Sequence, residues 1–173
     1  WDGQYGSHPQ DLKKIILSGR EKMVEILTND KLTINGVLTD NPHKSKIKEI
    51  YGKNKLSENE AKRIAKDHIK ATFDIGHANI WKKYFGGTDK EFNQWLGKEV
   101  SELTKEGIIG HAHVSDNFGY NDEHLPPGYG NAPIKEFMTH LKKSGYKGEI
   151  VVEPGHHDIG AMREGVKHLE TPI

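Results

Sequence analysis

The chain is 173 residues long and carries 25 basic and 25 acidic side chains, so its formal charge is zero and no strong basic field favours nucleic acid, although a local patch stays open. It has no cysteine, which excludes disulfides and thiolate sites and leaves histidine and carboxylates as the strong metal ligands. No apolar run approaches the roughly 20 residues of a membrane helix and no signal peptide opens the sequence, which points to a soluble, cytoplasmic protein without a membrane partner.

Ser7, Pro9, Gln10 and Asp11 open a predicted helix in which Leu12, Ile15, Ile16, Met23, Ile26 and Leu27 keep helical spacing as far as Thr28. Residues 32–38 alternate weakly around the turn-prone pair Asn35 and Gly36, a pattern that fits a strand, a hairpin or an irregular segment. The lysine-rich stretch 43–55 reads as a solvated loop or a short helix. Ser57 with Glu60 forms a capping-box pattern before a helix that carries Ala61, Ile64, Ala65 and Ile69 on one face. A strand over 71–75 follows.

Thr88 with Glu91 repeats the capping-box pattern, and Phe92, Trp95, Leu96, Val100 and Leu103 make the buried stripe of the helix it starts, which Gly107 stops. A strand over 108–114 places Ile108, Gly110, Ala112 and Val114 on one face and Ile109, His111, His113 and Ser115 on the other, because strand side chains alternate. A polar loop over 116–131 leads to a helix with Ile134, Phe137, Met138 and Leu141 on one side, closed by Ser144 and Gly145. Within that loop Gly128-Tyr129-Gly130, just ahead of a helix, is a weak sign of anion binding. The last predicted strand, 149–153, carries Glu153 and is broken by Pro154 and Gly155.

Acids and imidazoles thus recur where short apolar runs end: Asp74 and His77, His111 and His113, Asp122 and His124, then Glu153. Short strands separated by helices imply a parallel sheet, and polar residues at the C-terminal ends of such strands carry chemistry in barrels. With at most four candidate strands and Trp1 at its start, the chain is expected to be a single domain over 1–173 that is a fragment of a larger barrel.

Four motifs together carry a family resemblance: Phe73-Asp74-Ile75-Gly76-His77-Ala78-Asn79, His111-Ala112-His113-Val114-Ser115-Asp116-Asn117, Asp122-Glu123-His124-Leu125-Pro126-Pro127-Gly128, and Val151-Val152-Glu153-Pro154-Gly155. In this order, one βα unit apart over residues 71–156, they resemble the last strands of the xylose-isomerase-like TIM (β/α)8 barrel superfamily. That superfamily includes sugar isomerases and epimerases and the class-two apurinic endonucleases. The resemblance implies metal ligation by Asp74, His113 and Glu153, joined by a glutamate from an earlier strand, and no strand ending in glutamate is found before Lys70. It implies that His77 binds substrate in the sugar enzymes or a second metal in the endonucleases, where Asp122 and His124 complete the extra site. The D-x-H-L-P loop also occurs in sugar-isomerase-like members, so the pair by itself does not choose.

The implied chemistry is isomerisation or epimerisation of a sugar or sugar phosphate by proton transfer through an enediolate, with Glu153 as both ligand and general acid/base. The divalent ion can be zinc, manganese, magnesium, cobalt or iron, since a mixed nitrogen and oxygen donor set does not select one. A second reading is a metal-dependent endonuclease acting on abasic DNA. A third is a non-catalytic barrel part that assembles with the remainder of the barrel or a second copy of itself, because an open parallel sheet exposes an edge.

Plainer roles stand beside these. Asp74 can cap the turn at Gly76 instead of binding metal, and Asp122 and His124 can be ordinary residues of a turn-rich loop. His111 fits packing or support of a ligand as well as contact with substrate. Trp81, with Tyr84 and Phe85, can wall a substrate pocket or pack in the core. His156 and His157 are loop residues placed to approach substrate. Glu153 is singled out because an acid on the inward side of an apolar strand is costly to bury without a cationic partner.

Overall fold

A computed structural model describes residues 7–153, 155 and 159–170. The chain forms two compact units, one from the stretch up to Lys13 together with Lys70 onward, the other from Lys14–Ile69. Helix α1 (Pro9–Thr28) starts in the first and continues through the second.

The Lys14–Ile69 unit adds a hairpin of β1 (Lys31–Ile34) and β2 (Val37–Asp40), then α2 (Lys44–Tyr51) and α3 (Glu58–His68). Asn35 and Gly36 both take positive φ, 51° and 79°, the turn whose twist matches the flanking strands, and this selects the hairpin among the options open for residues 32–38. The lysine-rich stretch holds α2, and its lysines lie in exposed pairs such as Lys46–Glu49 and Lys55–Asp30. Leu27, Ile47, Leu56, Ala61 and Ile64 form the core. Helix α3 begins with the expected capping box: Ser57 Oγ accepts from the Glu60 backbone N–H while the Glu60 carboxylate accepts from the Ser57 N–H.

The other unit contains a parallel sheet ordered β3 (Ala71–Asp74), β4 (Ile109–Val114), β5 (Glu149–Val152). A short helix α4 (Ile75–Asn79), a 3-10 turn (Ile80–Tyr84) and α5 (Asp89–Lys105) join β3 to β4, α6 (Ile134–Lys143) joins β4 to β5, and α7 (Ile159–Glu170) follows. The alternation of strand and helix is that of a (β/α)8 barrel, of which three parallel strands are present among the described residues. Ile108, Ala112 and Val114 are fully buried, and Phe92, Leu96 and Val100 of α5 and Phe137 and Leu141 of α6 are buried as well. Burying that face turns His111 and His113 to the opposite side of β4, as strand alternation requires.

Two strand ends fall one residue short of expectation. Ile75 opens α4 instead of closing β3, because Asp74 takes an extended backbone and caps the helix with its side chain. β5 ends at Val152, leaving Glu153 just beyond it with its N–H still bonded to the Val114 carbonyl at 3.0 Å. β5 is an edge strand of this sheet among the described residues, and Ile150 and Val151 are 37% and 39% exposed.

Candidate metal centre

The C-terminal ends of the three parallel strands, the first turn of α4 and the 116–131 loop bring six of the singled-out residues into two adjacent groups. In one, Asp74, His113 and Glu153 each place a ligand atom within 4.8 Å of the others. In the second, His77, Asp122 and His124 do the same. Strand register builds the first: Asp74 pairs with His113 across β3 and β4, and His113 pairs with Val151, two residues ahead of Glu153. His113 Nδ1 lies 2.5 Å from Glu153 Oε2.

Asp74 performs both roles open to it, one with each oxygen. Its Oδ1 accepts from the Gly76 N–H at 2.7 Å, the His77 N–H at 3.4 Å and Ser115 Oγ at 3.1 Å, fixing the turn into α4. Its Oδ2 is buried, accepts no hydrogen bond among the described residues, and has His77 Nε2 3.8 Å away. A buried carboxylate oxygen in that state is expensive unless a cation meets it, so the donor set fits a divalent ion. The burial argument applies to Asp74 and fails for Glu153, whose side chain is 46% exposed because no strand among those described packs beyond β5.

In the second group His77 Nε2 is 3.2 Å from Asp122 Oδ2, and His124 Nε2 is 3.3 Å from Asp122 Oδ1. His124 Nδ1 lies 3.1 Å from the Glu153 carbonyl, which can only accept. Nδ1 therefore carries the proton, and in the neutral ring the Nε2 lone pair faces the group, the orientation a metal-binding imidazole needs. Burial works against a charged His124, but the hydrogen bond to the Glu153 carbonyl and the carboxylates of Asp122, Asp74 and Glu153 outweigh it and hold its pKa above the ordinary value.

His111 is on the same face of β4, its ring edge-on to His113 at 5.0 Å, with Nε2 buried and without a hydrogen-bond partner among the described residues. Trp81 is not drawn into either group: its indole N–H donates to the Ser7 carbonyl and its ring packs against His8 and Tyr84. His156 and His157 lie outside the described residues.

Asp116, Asn117 and Asn79 have a role that sequence reasoning missed. All three are buried, at 1% exposure or less. Asp116 Oδ1 accepts from the N–H groups of Asn117 and Ala132, each at 2.9 Å, and Oδ2 from those of Gly128 at 2.8 Å and Gly130 at 3.0 Å. The glycine-rich turn is therefore an anion site whose anion is the chain's own carboxylate, which replaces the expectation of an external ligand there. Gly128 has a φ of 91°, and a Cβ on Gly130 would overlap the Asn117 carbonyl and Asp116. The only hint in the sequence was the run Ser115-Asp116-Asn117 at a strand end, which reads equally well as ordinary turn chemistry.

The sequence pattern of the xylose isomerase-like TIM barrel family matches residues 47–171, and the chain belongs to that family. An uncharacterized protein of Methanocaldococcus jannaschii is 42% identical over 110 residues, covering 63% of this chain and 32% of its own length. The crystal structure of a D-tagatose 3-epimerase-like protein aligns with 36% identity and a TM-score of 0.37, over 58% of this chain and 32% of the other. The chain thus spans about a third of the length of each of these relatives.

Proposed function

We propose that the protein containing this chain is a divalent-metal-dependent isomerase or epimerase of a sugar or sugar phosphate. The observation that carries the reading is the Asp74–His113–Glu153 group at the C-terminal ends of successive parallel strands, with Asp74 Oδ2 buried and accepting no hydrogen bond. Those three side chains would hold the ion, which in such sites supplies the charge that polarises a sugar carbonyl and its neighbouring hydroxyl. Glu153 is the base. Its exposed carboxylate, beside His113, takes the proton from the carbon next to the carbonyl, an enediolate forms, and the proton returns to a different position or face. His77 and His111, on the same side of the sheet, contact the substrate hydroxyls.

The His77–Asp122–His124 group supports a second reading, since another ion there would suit a metal-dependent endonuclease acting on abasic DNA. The test uses the full-length protein beside Glu153→Ala and His113→Ala. Metal analysis is followed by a screen of sugars and sugar phosphates for deuterium uptake from solvent, and by nicking of abasic duplex DNA. The reading holds if the native protein carries an ion that both variants lose and a sugar exchanges a carbon-bound proton. Nicking without exchange moves the protein to the endonuclease class. Absence of any ion leaves the assembly-module reading.

A further inference from the structure

Two polypeptide segments far apart in sequence must meet for the second group to exist: the turn that carries Asp74 and His77, and the 116–131 loop that carries Asp122 and His124. We infer that Asn117 is the positioning residue that docks one on the other and so sets the separation of the two ligand groups. The inference rests on the reading that these groups are the working site.

Asn117 is fully buried. Its Nδ2 donates to the carbonyl of Gly76, the residue directly before His77, at 2.7 Å. Its Oδ1 accepts from the Gly119 N–H and from Asn79 Nδ2, both at 2.9 Å, so one amide holds the start of the loop and the first turn of α4 together. Asn79 Nδ2 also reaches Asn131 Oδ1 at 3.1 Å, and the Asn131 N–H donates to the Asn117 carbonyl at 2.8 Å, which ties the far end of the loop to the same point.

A second feature shows that the loop is held under constraint. His124 has a φ of 50°, a left-handed conformation uncommon outside glycine. The residue after it is locked by reciprocal backbone hydrogen bonds between Leu125 and Asp116, of 2.8 and 2.7 Å. Strained backbone at a ligand position persists where surrounding contacts over-determine it. Asp116 supplies one such contact and Asn117 the other, but only Asn117 reaches across to the His77 side.

Asn117→Asp is the discriminating variant, because it keeps the shape and the acceptor yet turns a carboxylate oxygen toward the Gly76 carbonyl. Cobalt(II) is titrated into the full-length protein and followed by visible absorption, with His124→Ala identifying the phase that belongs to the second group. The expected result is an unchanged first phase and a second phase weakened at least about tenfold, the scale on which losing support behind the ligands lowers metal affinity, because the segments that carry His77 and His124 lose their shared tie. Equal loss of both phases from a folded variant, or no change in either, overturns the inference.

If the wild type shows one phase or none, the metal reading of the second group or of the whole site fails independently. Amide exchange then decides the role of Asn117: residues 118–125 exchange about tenfold faster in the variant while β4 stays protected, and unaltered protection of the loop overturns it. Should Asn117→Asp not fold, Asn131→Ala removes the half-exposed end of the same network and carries both measurements, with a smaller shift in the same direction.

Discussion

Replacing Asp116 by asparagine tests the account of the 116–131 loop most directly. The carboxylate is 1% exposed and each of its oxygens accepts two backbone N–H groups. Asparagine presents NH2 in place of one oxygen, so whichever oxygen it keeps, two backbone donors face another donor. A buried donor left unsatisfied costs about 1–3 kcal/mol, which makes the pair worth about 2–6 kcal/mol. With a urea slope of about 2 kcal/mol/M the unfolding midpoint of the full-length protein drops by about 1–3 M, read by far-ultraviolet circular dichroism. Exchange of the Gly128, Gly130 and Ala132 amides reads the same loss locally. A midpoint within about 0.3 M of wild type, together with unchanged protection at those amides, refutes the claim that Asp116 is the anion the glycine turn was built around.

Asp74→Asn separates the cap from the ligand. The retained oxygen caps α4 as well as aspartate does, so stability stays within about 1 kcal/mol in thermal melts, while the oxygen facing His77 becomes a donor and calorimetric metal titration shows the Asp74–His113–Glu153 group emptied; retained binding contradicts the ligand role. Gly130→Ala destabilises by about 1–3 kcal/mol, because the methyl group collides with backbone and with Asp116, whereas Gly86→Ala, where a Cβ meets nothing, stays within about 0.5 kcal/mol; equal melting temperatures would contradict the packing at Gly130. Glu60 is held at about 2 by hydrogen bonds from Lys53 and then Ser57. Its folded pKa lies below the ordinary value of 4.5, so its stabilising effect is complete above that value and disappears as pH falls through about 2. In Lys53→Ala the carboxyl resonance of Glu60 titrates closer to 4.5, and an unmoved midpoint speaks against the pairing.

Local patterns made much of the fold legible. Two capping boxes, Ser57 with Glu60 and Thr88 with Glu91, marked helix starts that the structure reproduces, since a cap is a contact between residues three apart. The alternation along β4 assigned its two faces, because one face is wholly apolar and the other carries both imidazoles. Asn35 and Gly36 left a strand, a hairpin and an irregular segment open, and only the pairing of β1 with β2 resolved them.

The chain's own order of residues marked the side chains that could hold a metal and put Asp74, His113 and Glu153 at or just past strand ends, since hydrophobic periodicity and strand-breaking residues are written within a few positions of one another. The resemblance already implied their division into Asp74, His113 and Glu153 on one side and His77, Asp122 and His124 on the other, and only the tertiary structure decided that the ligand atoms of each group come within 4.8 Å of one another. It also decided that the buried acid is Asp74 and not Glu153, and that the glycine turn is filled from within by Asp116. Those outcomes depend on strand register and on which backbone N–H groups converge in space. Asp74 and Glu153, far apart in the sequence, meet there, and no short-range pattern encodes their distance.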